Sequence, residues 1–71
     1  MTNTALLEEK IKQSGYKRGY IAAKLGRTRY GLALKISGKN EFTASEISIL
    51  CSLLGISAED RMRIFFATEV D

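Results

Sequence analysis

Arg18-Gly-Tyr-Ile-Ala-Ala-Lys-Leu-Gly-Arg-Thr-Arg-Tyr-Gly-Leu-Ala-Leu-Lys-Ile-Ser37, followed by Gly38, is the stretch on which the fold turns. Two short helices that meet at a tight turn need a small residue where their backbones approach, and a residue that tolerates positive φ in the turn. Ala22 and Gly26 stand four apart and supply the two, and Leu32, six beyond the glycine, folds back as a third contact. Ile21, Leu25 and Ile36 complete the wedge. The spacing predicts one helix from about Lys17 to Leu25, ended by Gly26. A second runs from Thr28, a suitable N-cap, to Ile36 or Ser37 and is closed by Gly38. With a turn of three or four residues between them, this is the spacing of a helix-turn-helix.

Outward from that centre the chain continues to read as helix. Leu7 and Ile11 mark an apolar stripe on a first helix over about Thr4–Ser14, with Glu8 and Glu9 toward its positive end, Lys10 and Lys12 toward the other, and Gly15 placed to stop it. Thr43-Ala-Ser-Glu46 fits a capping box, and Phe42 with Ile47 fits the hydrophobic staple around it. Ile47, Leu50, Cys51 and Leu54 then follow the spacing of a core-facing fourth helix, ended by Gly55. Ser57 caps a fifth helix expected from Ala58 to about Ala67, with Met62, Phe65 and Phe66 as its apolar face and Ile64 off it. The absence of proline and of any long alternating run disfavours strands. The expectation is all-α: one domain spanning 1–71, a compact bundle of five short helices. In 71 residues only about 60% of the unfolded surface can be buried, so the core has to be used efficiently.

The central segment resembles the helix-turn-helix of the phage Cro/repressor-like family, the XRE-type regulators with a lambda-repressor-like DNA-binding domain. The likeness extends to Gly38-Lys-Asn-Glu-Phe-Thr43, similar to the loop and fourth-helix start of such proteins, and to Ile64-Phe-Phe-Ala67, similar to the closing helix of small phage and prophage members. It covers about residues 5–67. Two positions depart from the usual pattern: Arg27 follows the turn glycine where an apolar residue is common, and Lys35 stands where an aromatic or aliphatic residue is common. Both add positive charge beside the expected phosphate face. The resemblance implies a sequence-specific regulator of transcription that binds double-stranded DNA, of the Cro or short-repressor kind, as a homodimer on a palindromic operator.

Charge points the same way. The net +3 conceals nine basic residues from Lys10 to Lys39 (10, 12, 17, 18, 24, 27, 29, 35 and 39) with no acidic residue among them, while all eight carboxylates lie outside that band. Thirty residues without a carboxylate leave these cations with no partner in the local sequence, and a polyanion would answer them. On a helical wheel Leu32 and Ile36 point inward, which sets Tyr30, Ala33, Leu34 and Ser37 on the opposite face with Arg29 flanking it at the helix start. Arg29, Tyr30, Ala33 and Leu34 are the candidate base contacts. The Arg29 guanidinium can bond guanine O6 and N7, Tyr30 a base or a phosphate, and Ala33 and Leu34 thymine methyls. Leu34 can equally be read as an isolated exposed leucine. Lys17, Arg18, Thr28, Lys35, Ser37, Lys39 and Asn40 are candidates for the DNA backbone, contacts that set register without reading sequence.

Other functions find less support. There is no His, so the commonest metal ligand and neutral-pH acid–base group are missing, and no nucleophile–base or metal-ligand spacing occurs. No catalytic residue, metal, cofactor or small-molecule ligand is expected. The single cysteine, Cys51, reads as a small core hydrophobe, and Tyr16 as a partly buried core ring with its hydroxyl at the surface. With no signal-peptide or membrane-span pattern, the expected setting is the cytoplasm of a bacterial or phage-infected cell, at the nucleoid. Two adjacent aromatics in so small a chain suggest a dimer, with Ile64 as the candidate subunit contact. The competing class is a protein-interaction module of helix-turn-helix ancestry, an antitoxin or anti-repressor, which would not require a band free of carboxylates.

Overall fold

The computed structural model describes residues 2–66. Five helices follow in order: α1 (Thr4–Ser14), α2 (Arg18–Lys24), α3 (Arg29–Ile36), α4 (Ala44–Leu54) and α5 (Ala58–Phe65), with no strand among the described residues. The all-helical expectation is met, and the boundaries fall close to where local chemistry puts them. Four helices start on a side chain that accepts from an otherwise orphaned amide: Asn3 from Leu6, Thr28 from Gly31, Thr43 from Glu46 and Ser57 from Asp60. The capping box is complete, the Thr43 amide donating to Glu46 Oε1 at 2.8 Å.

The link between α2 and α3 is a Schellman turn. The Arg27 amide donates to the Ala22 carbonyl at 2.9 Å and the Gly26 amide to Ala23 at 3.0 Å, with Gly26 at φ +70°. A side chain at that φ would be strained, so the glycine is required by the turn itself. The chain emerges from it at Arg27 and Thr28, and α3 packs back on α2.

The core joins Leu7 and Ile11 of α1, Ile21, Ala22 and Leu25, Leu32 and Ile36 of α3, and Ile47 and Leu50 of α4. Phe42, Ile56, Ile64 and Phe65 close it, with the Phe42 and Phe65 rings edge to face at 5.5 Å. Cys51 packs against this core, and burial pushes its thiol pKa up against the opposing charge of Arg61. α1 is fastened across the fold: the Thr4 hydroxyl donates to the Ile36 carbonyl at 2.7 Å, and the Asn3 amide to the Ile64 carbonyl at 2.7 Å.

Helix α5 departs from expectation. It ends at Phe65 with Phe66 as its cap; the expected extension to Ala67 lies outside the described residues. Ile64 is fully buried, whereas Met62 is 59% and Phe66 47% exposed, so the inward face is Ile64 with Phe65. The reason is tertiary. α5 packs on α1, and the Lys10–Asp60 ion pair at 2.8 Å fixes Asp60, and with it Ile64 one turn on, against that helix. Ile64 therefore cannot be a subunit contact.

Candidate nucleic-acid interface

The outward side of α3 presents Arg29, Tyr30, Ala33 and Leu34, all four expected base contacts, on one short helix. Tyr30 is 74% exposed, Arg29 and Ala33 are exposed, and Leu34 is half-buried. The Arg29 stem runs back over α2, where a Cβ added at Gly19 would lie 3.4 Å from Arg29 Cδ. Arg29 thus has a defined course, along an open groove of about 690 Å³ whose lining includes Glu8, Lys12, Tyr16, Lys17 and Arg18.

The residues expected on the DNA backbone fare differently. Lys17 is exposed and precedes α2 as an N-cap without a side-chain cap bond. Thr28 uses its hydroxyl oxygen to accept from the Gly31 amide at 3.0 Å, which leaves its hydrogen to donate. Ser37 already donates to the Leu34 carbonyl at 2.9 Å and would have to give up that bond to reach a phosphate. Lys39 and Asn40 are exposed, and their amides fold the loop onto the end of α3 by bonding the same Leu34 carbonyl at 3.0 and 3.2 Å. Arg18 is ion-paired with Glu8 while remaining half-exposed.

Lys35 is a correction. It is buried, and its ammonium donates to Glu46 Oε1 at 2.6 Å. The other carboxylate oxygen of Glu46 accepts from Arg27 Nε at 2.6 Å. The two departures from the family pattern are therefore one arrangement: a cation before α3 and a cation in its last turn meet on a single carboxylate at the start of α4. Burial would raise the Glu46 pKa, but the bonds from Lys35, the Thr43 amide and Arg27 outweigh it and hold the carboxyl at about 2. Glu46 is the residue that sequence reasoning missed. It was legible as half of a capping box, and nothing in the local pattern signalled its second task.

The same correction applies to the basic band. Lys10, Arg18, Arg27 and Lys35 find carboxylates on Asp60, Glu8 and Glu46, all from outside the band. Lys12, Lys17, Lys24, Arg29 and Lys39 have no ion pair among the described residues. Lys24 sits 5.4 Å from the centroid of the Tyr20 ring. Tyr16 is not a core ring: it is 42% exposed and lies against Tyr20 with centroids 5.0 Å apart.

Among the described residues no group of His, Cys, Asp and Glu is placed to hold a metal, and no helix is long and apolar enough to cross a membrane. Comparison of the chain with protein-family models, curated proteins and solved structures finds no match.

Proposed function

We propose that this chain is a sequence-specific regulator of transcription that binds double-stranded DNA with a helix-turn-helix formed by α2 and α3, in the cytoplasm of a bacterial or phage-infected cell. The observation that carries this reading is the outer face of α3. It offers an exposed Arg29 beside a 74% exposed Tyr30, with Lys17 and Lys39 in the loops before α2 and after α3, and none of these three cations has an ion partner among the described residues. The second helix of a helix-turn-helix lies in the major groove with its N-terminal residues at base edges, while flanking cations meet phosphates. Arg29 is the specificity residue, through two hydrogen bonds to guanine O6 and N7. Lys17, Thr28, Lys39 and Asn40 hold the backbone, with Arg18 shared between Glu8 and a phosphate.

In this reading the protein acts as a homodimer on a palindromic site whose half-sites lie about one DNA turn apart. With Ile64 in the core, the subunit contact moves to Met62 and Phe66, about one turn apart on the exposed side of α5. Selection of bound sequences from a random duplex pool tests the proposal: a palindromic consensus is expected, and no enrichment would favour the interaction-module reading. In the same assay Arg29→Ala should flatten preference at one position, a loss of about 1–3 kcal/mol of discrimination. Unchanged preference would remove Arg29 from base reading.

A further inference from the structure

We propose that Arg27, aimed by Glu46, is a phosphate-binding residue of this interface, and that its neighbour in charge, Lys35, is not. The inference rests on the DNA-binding reading above.

Arg27 offers five N–H donors in a rigid plane, and Glu46 takes the one on Nε, at 2.6 Å. The carboxylate that holds it is itself immobile. Glu46 is 3% exposed, and its other oxygen is bonded by Lys35 Nζ at 2.6 Å and the Thr43 amide at 2.8 Å. The Arg27 side chain nevertheless stays 46% exposed, and its two terminal amino groups have no partner among the described residues. A guanidinium held at Nε in this way has given up part of its rotamer freedom before any ligand arrives, and its terminal donors have the geometry that phosphate oxygens accept.

Its place in the fold selects the ligand. Arg27 directly precedes Thr28, the N-cap of α3, and its Cβ lies 4.0 Å from where a side chain on Gly31 would begin. The side chain is thus rooted beside the first turn of the helix that carries Arg29 and Tyr30, one residue before a Thr28 hydroxyl that keeps its own hydrogen for donation, and its guanidinium is held at Glu46 near the start of α4. Lys35 carries the same charge from the other end of α3, but it is buried and spends its ammonium on Glu46.

The contrast defines the experiment: the salt dependence of binding to a mixed-sequence DNA duplex, for the native chain, Arg27→Met and Lys35→Met. Both substitutions remove one positive charge from the same cluster. Arg27→Met should reduce the slope of log K against log salt by about 0.9, the value of one phosphate contact, and Lys35→Met should leave it unchanged. Urea melts establish that each variant is folded, and Arg27→Gln, which keeps a donor for Glu46, should lower the slope as Arg27→Met does. Equal reductions for the two methionine variants would make this a general charge effect and overturn the proposal. So would an unchanged slope for the Arg27 variants beside salt-dependent binding by the native chain, and in that case the DNA-binding reading would survive. A native chain without salt-dependent duplex binding would overturn both.

Discussion

A carboxylate removed from water is stable only where donors replace its hydration, and Glu46 has three of them. Its pKa, about 2 against an ordinary 4.5, makes the arrangement a source of stability with a defined pH window. The folded value lies below the unfolded one, so the stabilisation is complete above pH 4.5 and is lost as pH falls toward 2. A difference of that size corresponds to about 3 kcal/mol. Urea melts from pH 7 to pH 2.5 should therefore show stability declining below about pH 5, and Glu46→Gln should be destabilised at pH 7 with a shallower decline. A variant as stable as the native chain at pH 7 would remove the carboxylate from this account. Asp60 is lowered as well, chiefly by its bond from Lys10, but at the surface and to a smaller consequence.

At the scale of elements, the caps and glycine turns lie in short stretches of chain, which is why the caps of three of the five helices, Thr28, Thr43 and Ser57, could be read before any packing was known, while Asn3 before α1 was not. α2 differs from these four. It is seven residues long, has no side-chain cap and carries Gly19 in its first turn. Glycine there costs helix propensity, and its lack of a side chain makes room for the Arg29 stem. Gly19→Ala should raise stability by about 0.5–1 kcal/mol, because the added methyl meets Arg29 at an ordinary contact distance. A larger residue such as Gly19→Leu should instead displace Arg29 and weaken binding of the selected sequence. Calorimetry on the first variant and a binding isotherm on the second check the pair, and destabilisation by alanine would show that the clearance is already fully used.

The whole molecule holds together through few large side chains, of which Leu7, Ile21, Leu32, Leu50 and Ile64 are buried almost completely. Small domains have little stability to spare, so truncating any one of these is severe. Ile64→Ala should cost about 2–5 kcal/mol and leave the chain close to unfolding at 37 °C. Met62→Ser, one helical turn away from Phe66 on the exposed side, should leave the monomer fold intact and weaken self-association. Thermal melts and sedimentation separate the two effects. A dimer unaffected by Met62→Ser would place the subunit contact elsewhere. An Ile64→Ala protein that melts like the native chain would contradict the packing of α5 on α1.

Helix content, the approximate places of the five helices and the two short helices at the centre follow from the sequence alone. Capping side chains, positive-φ glycines and i, i+4 apolar spacing act over a few residues, and those interactions are the same wherever the segment sits. Which face of α5 turns inward could not be read, because Ile64, Phe65 and Phe66 are consecutive apolar residues and only contact with α1 chooses among them. Nor could the fate of the basic band. A run of nine cations looks unpartnered along the chain, yet the folded protein brings Glu8, Glu46 and Asp60 to four of them across intervals of at least ten residues. Electrostatic pairing depends on distance in space, so only the tertiary structure could decide that Lys35 belongs to the interior while Arg29 remains outside on the face of α3.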